Sequence, residues 1–193
     1  MAAHVRYNAD MGKLDNIFLV GLMGAGKTTI GKSLARQLDK TFYDADHALE
    51  ERTGVRIPVI FEIEGEAGFR KREEETLDGL TCQQNIVLAT GGGVVLAASN
   101  RERLKARGTV VYLHGRPEDL YQRTRHDKGR PLLQTGNRLQ TLKELYQTRD
   151  PLYREVADIV VDTGRQSVHS LTERLKSQLL EQGYGNPTGP DQT

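Results

Sequence analysis

Asn16-Ile-Phe-Leu-Val-Gly21-Leu-Met-Gly-Ala-Gly-Lys27-Thr28 is the stretch on which the rest of the chain hangs. A short apolar run ends in glycines, and apolar residues then recur with helical spacing at Ile30, Leu34, Ala35 and Leu38, so the order is strand, glycine loop, helix. Gly21 to Thr28 matches G-x-x-x-x-G-K-[ST], and it stands in the strand-to-helix context that this phosphate-binding motif requires. Glycines let the backbone curl until the N–H groups of Gly24, Ala25, Gly26, Lys27, Thr28 and Thr29 converge on phosphate oxygens at the positive end of a helix. The Lys27 ammonium reaches the β and γ phosphates, and the Thr28 hydroxyl is a ligand for Mg²⁺. A plain tight turn would need neither the lysine nor the hydroxyl at those offsets.

Working outward, residues 41–44 (TFYD), 86–90 (IVLAT), 109–113 (TVVYL) and 158–162 (DIVVD) read as further buried strands, each followed by polar or glycine-rich residues and a helical pattern. Helices are expected over about 27–39, 46–53, 58–79, 99–107, 117–125, 138–156 and 167–181. Strands alternating with helices imply a five-stranded parallel sheet covered on both faces, an α/β fold. Residues 15–182 read as one domain, whereas 1–14 and the Gly- and Pro-rich 183–193 read as disordered tails.

Composition narrows the class. With 193 residues the chain can bury a core without staples. Its 27 Lys and Arg against 26 Asp and Glu leave no excess for coating a polyanion, so no nucleic-acid partner is expected. Near neutrality hides an uneven distribution, with 12 acidic and 6 basic residues over 39–80 but 12 basic and 5 acidic over 101–149. A single cysteine, Cys82, excludes an internal disulfide and a thiolate zinc site, and it fits a reducing cytoplasm. No apolar run approaches the ~20 residues that span a bilayer, and 1–15 lacks a signal-peptide core, so neither membrane attachment nor export is expected. For a compact protein of this size without a long exposed apolar helix, a monomer is the default.

A phosphate-binding loop names a nucleotide, not a reaction. The N-K-x-D guanine reader of switch GTPases does not occur, and strand 86–89 ends in Thr90 and glycines rather than in the acids of motor ATPases. A small phosphotransferase remains. Asp44 and Asp46 follow the second strand, at the carboxyl edge where open α/β sheets bind ligands, and two acids there suit Mg²⁺ and a hydroxyl. Asp46 suits a helix N-cap equally well. In Gly65-Glu-Ala-Gly-Phe-Arg70-Lys-Arg-Glu73, Arg70 and Glu73 are i and i+3 neighbours, so Glu73 can orient the Arg70 guanidinium for a ligand carboxylate, or the two can form a surface ion pair. Thr90-Gly91-Gly92-Gly93 permits a ligand to approach backbone N–H groups, or is a flexible turn. Arg123, Arg125, Lys128 and Arg130 surround a turn-like segment that reads as a cationic lid over about 124–137. Arg149 falls late in a helix, either reaching a ligand carboxylate with Arg70 or solvated.

Taken together, GLMGAGKTT, DAD at 44–46, GExxFRxxE at 65–73, TGGG at 90–93, RPLL at 130–133 and RDPLY at 149–153 resemble the shikimate kinase family in order and approximate spacing, over about residues 16–181. The resemblance implies a nucleoside-monophosphate-kinase-like sandwich. The implied reaction is ATP-dependent phosphorylation of the 3-hydroxyl of shikimate, on the chorismate route to aromatic amino acids. It also implies that Arg70 and Arg149 clamp the shikimate carboxylate with Glu73 orienting Arg70, that Asp46 binds ring hydroxyls and is the candidate base, and that Gly92 and Gly93 give backbone contacts. By the same resemblance Thr28, and Asp44 through water, hold one Mg²⁺. Arg130 contacts the phosphates, and Arg123 packs on the adenine opposite the turn of Gly164, Arg165 and Gln166. Met23 departs from the residue often found at its place, but its side chain should not touch the phosphates. Two rival readings are a kinase of another hydroxylated metabolite such as gluconate and a nucleotide-dependent module without catalysis. The paired arginines and triple glycine count against the first, and the intact Lys27, Thr28, Asp44, Asp46 and Arg130 count against the second.

Overall fold

A computed structural model describes residues 16–125, 137–164 and 166–181. The expected tails 1–14 and 183–193 lie outside these residues, as do Arg130, Arg165 and all of the expected lid but Thr124, Arg125 and Asn137. Five strands, β1 (Ile17–Val20), β2 (Thr41–Asp44), β3 (Ile86–Ala89), β4 (Thr109–His114) and β5 (Ile159–Asp162), pair in the order β2-β3-β1-β4-β5. Every pairing is parallel, with Leu19 between Ala89 and Val111. The three inner strands are buried on both faces and are therefore continuously apolar, whereas the edge strand β5 alternates buried Ile159 and Val161 with exposed Val160 and Asp162.

Helices form the outer layers of this three-layer α/β sandwich. α1 (Lys27–Gln37) lies against the sheet and against α7 (Val168–Glu181), burying Ile30, Leu34 and Ala35. α4 (Ala98–Arg107) and α6 (Arg138–Val156) pack on β4 and on each other, and α5 (Pro117–Thr124) packs on α6. α2 (Ala45–Thr53) packs on α3 (Ile57–Thr81), where Leu49, Ile60 and Phe69 form a second, smaller apolar cluster. Among the described residues no helix is long and apolar enough to cross a membrane.

α3 differs from the uninterrupted helix expected over 58–79. It breaks at Gly65, whose φ of 68° and ψ of −173° are open essentially to glycine alone. The part beyond the break is fixed to α4 by Ser99 donating to Glu74 at 2.6 Å, Arg103 to Glu74 at 2.9 Å and Arg107 to Asp78 at 2.7 Å. A short 3₁₀ turn at Val94–Leu96, not anticipated from the sequence, links the glycine run to α4.

Asn16 ties three strands together at their amino ends. Its amide donates to the carbonyls of Gln83 (2.7 Å) and Arg107 (3.3 Å) and accepts from the Ile86 N–H at 3.2 Å, all from a side chain only 1 % exposed. Asn16→Ala removes all three bonds and leaves the buried Ile86 N–H without its acceptor. We expect it to cost about 2–4 kcal/mol, read as a lower urea midpoint with an unchanged m value; a loss below about 0.5 kcal/mol would contradict this account of the sheet.

Candidate active site

All five strands run the same way, so the segments that follow them gather at one edge. Gly26 caps α1 in the left-handed region (φ 92°) and brings no side chain to the first amides, so the positive end of the helix opens on a cavity of about 290 Å³. Gly24, Gly26, Lys27, Thr28 and Thr29 line it from the loop, and Asp44, Asp46, Thr90, Gly92, Arg123 and Thr124 from elsewhere. The Lys27 ammonium donates to the carbonyls of Gly21 (2.7 Å) and Leu22 (3.0 Å) and so braces the loop across its width.

The two aspartates divide their work differently from the even choice that the sequence leaves for Asp46. The N-cap of α2 is Asp44, since its Oδ1 accepts from the N–H groups of Asp46 (3.1 Å) and His47 (3.4 Å). Its Oδ2 accepts from the Thr28 hydroxyl at 2.7 Å. β2 ends in extended backbone at Asp44, which is the geometry a cap residue requires, so the helix begins one residue earlier than expected. Asp46 falls in the first turn and faces the ligand edge instead, lining two cavities at once.

The second cavity, about 80 Å³, is lined by Asp46, Arg70, Glu73, Arg149 and Gly91 to Gly93, with an apolar wall of Met23, Phe61 and Phe69. Arg70 Nη1 donates to Glu73 at 2.7 Å, and Nη2 and Nε donate to Glu66 at 2.9 and 3.3 Å. Its guanidinium also lies 5.1 Å from the centre of the Phe69 ring. Three of its five N–H groups are thus engaged, and two are left to grip a ligand. Glu73 is 5 % exposed, so this is not the surface ion pair the sequence also allowed. Burial pushes the Glu73 carboxyl up from its ordinary range while Arg70, and more weakly Arg149, pull it down and Asp46 adds to the rise. For Arg70 burial works to lower the value, but Glu73 and Glu66 outweigh it and raise the guanidinium further.

The outer glycines make this packing possible. A Cβ on Gly91 would collide with the Glu73 carboxylate, and one on Gly93 with the Arg70 guanidinium. The turn therefore needs glycine for side chains of this protein as well as for the approach of a ligand. Arg149 is 4 % exposed and sits 3.7 Å from the Cβ position of Gly92, not in solvent.

On the far side of the glycine loop, Arg123 donates to Thr163 Oγ1 at 3.1 Å and to the carbonyls of Thr163 (2.8 Å) and Gly164 (2.7 Å), bridging α5 to the segment after β5. A third cavity, about 180 Å³, opens there between Arg123, Gln166 and the loop residues Gly24, Ala25, Gly26 and Thr29. Sequence reading passed over Phe61, Phe69 and Tyr153. The two phenylalanines lie on opposite sides of the Gly65 break, and only that break brings their ring centres to 4.7 Å. Met23, which the sequence placed clear of the phosphates, lines the smaller cavity and not the larger.

The family model described as shikimate kinase matches residues 23–180. A shikimate kinase of Thiobacillus denitrificans is 63 % identical over 169 residues, which cover 88 % of this chain and 92 % of that one. One of Burkholderia lata is 60 % identical over 164 residues, covering 85 % and 89 %. Among solved structures, the shikimate kinase from Acinetobacter baumannii in complex with shikimate superposes with a TM-score of 0.86 at 50 % identity, over 90 % of this chain and 97 % of that chain. The match runs through the glycine loop's end, both aspartates, the broken helix, the triple glycine and the buried arginine, and the chain belongs to the shikimate kinase family.

Proposed function

We propose that the chain transfers the γ-phosphoryl group of ATP to the 3-hydroxyl of shikimate, giving shikimate 3-phosphate and ADP. The observation that carries this reading is that Asp46 and Gly92 line both cavities, so a phosphate held by the glycine loop and an acid held by the arginines meet at shared residues. In this reading the triphosphate occupies the larger cavity on the amides of Gly24 to Thr29, with Lys27 on its β and γ oxygens. Arg123 and Gln166 border the adenine. The shikimate carboxylate is taken by Arg70 and Arg149 and the ring lies on Phe61 and Phe69, with Gly92 and Gly93 contributing backbone contacts.

The Thr28 hydroxyl and the Asp44 carboxylate, 2.7 Å apart beside the loop, are a hard-oxygen pair that fits Mg²⁺, which takes one or two protein oxygens and completes its shell with phosphate and water. When bound there the ion would neutralise charge on the phosphates. Asp46 aligns the hydroxyl and accepts its proton; the oxygen–phosphorus bond forms as the bond to the β,γ-bridging oxygen breaks, and ADP leaves with that electron pair. Transfer of this kind passes through a loose transition state, so positioning and charge neutralisation supply most of the acceleration. Arg130 and Arg165, outside the described residues, enter the reading through the family resemblance alone. The reading takes the chain as a monomer of the cytoplasm.

Purified protein with ATP and Mg²⁺ should release ADP strongly only when shikimate is added, with gluconate as the control acceptor. Equal stimulation by gluconate, or none by either, would overturn the substrate assignment. Asp46→Asn should lower kcat by about 100-fold or more while the KM for ATP stays within about twofold; wild-type turnover would remove Asp46 from the chemistry.

A further inference from the structure

Tyr153 belongs to the RDPLY segment but has no part in the assignments above. It lies one turn beyond Arg149 on α6 and is fully buried. Its hydroxyl donates a hydrogen bond to the Gly92 carbonyl, and the positive charge of Arg149 close by pulls against the rise that burial causes in the phenol. Burial holds the phenol well above its ordinary range, so the oxygen keeps its proton and remains a donor.

The ring itself is fixed from behind. It stacks on Tyr112 of β4 with centres 4.9 Å apart and planes at 29°. The Tyr112 hydroxyl donates to Asp150 at 2.8 Å, and Asp150 also accepts from Arg154 at 2.9 Å. The stack on the Tyr112 ring and the backbone of α6, not the Tyr112 hydroxyl, therefore set the position of the Tyr153 oxygen.

What that point governs follows from the planarity of the peptide bond. The Gly92 carbonyl and the Gly93 N–H belong to one peptide unit and point in opposite directions. Two glycines in sequence leave such a unit free to rotate as a plate. Anchoring the carbonyl stops the rotation and fixes where the Gly93 N–H aims. We propose that Tyr153 is a positioning residue for the acidic acceptor, one hydroxyl setting both the aim of the Arg149 guanidinium and the orientation of the Gly92–Gly93 peptide. This rests on the reading that Arg149 and the glycine run hold the acceptor.

Tyr153→Phe keeps the ring, its stack and its burial and removes only the oxygen. We expect the KM for shikimate to rise roughly 10- to 100-fold, with the KM for ATP unchanged. Tyr112→Phe is the matched control: it loses a hydroxyl of the same stacked pair, the one bonded to Asp150, and should leave the shikimate KM within about twofold of wild type. In the protein without substrates, Tyr153→Phe should shift the Gly93 amide and the Arg149 Nε resonances in ¹⁵N NMR spectra, and Tyr112→Phe should leave them near their wild-type places.

Equal effects of the two variants on the shikimate KM, or unmoved Gly93 and Arg149 resonances in Tyr153→Phe, would overturn the proposal. The resonances do not depend on which acceptor is correct. Shifted resonances in a protein whose wild type ignores shikimate would support Tyr153 as the set point and refute the acceptor assignment instead.

Discussion

A buried carboxylate held by Arg70 against the edge of the sheet organises this molecule. Glu73 is 5 % exposed, and an ionised acid so placed is tolerable only when its partners are close and fixed. Arg70 supplies the close partner at 2.7 Å. The fixing comes from further away, through the ion pairs that bind Glu74 and Asp78 to Arg103 and Arg107. Those pairs are solvent-facing and individually weak, but as a ladder along one side of α3 they hold the register of the face that carries Arg70 and Glu73. The same acid explains the glycine run, because residues 91 and 93 must leave room for the Glu73 carboxylate and the Arg70 guanidinium.

The parallel sheet does the rest of the assembly. β1, β2 and β3 deliver the glycine loop, the aspartate pair and the triple glycine to one edge, and β5 delivers Thr163 and Gly164 to Arg123. Asp44 links two of these segments directly, since one carboxylate caps α2 and receives the Thr28 hydroxyl. That double role leaves Asp46 to face both cavities. A phosphate site and an acid site thus adjoin without any long loop having to place them.

Much of this was legible in the sequence, for identifiable reasons. Short runs bounded by glycine and polar residues marked all five strands, and the three inner ones stood out most because a strand covered on both faces demands apolar character throughout. The glycine loop was legible because its chemistry fixes both spacing and context. What the sequence left open was burial. The spacing of Arg70 and Glu73 is the same for a surface pair as for a buried one, and Arg149 carries no local sign that α6 turns it toward Gly92. Asp46 stayed open between cap and catalyst because aspartate suits both, and only the end of β2 makes Asp44 the cap. The break at Gly65, which brings Phe61 onto Phe69, was masked by helical periodicity on both sides. Tyr153, the last residue of RDPLY, carried no local sign of a role, since the Gly92 carbonyl to which it donates lies on a different element.

The central claim is that an arginine held by a buried acid selects the acceptor by its carboxylate. The most direct test is a cycle of two proteins, wild type and Arg70→Ala, against two acceptors, shikimate and its methyl ester, with kcat/KM measured for all four combinations. A desolvated charge pair worth roughly 2–5 kcal/mol predicts that esterification costs the wild type at least about 30-fold and Arg70→Ala far less, so that the two losses do not add. Equal penalties for the ester in both proteins would mean that Arg70 does not grip the carboxylate, and the account built on Glu73 would fail.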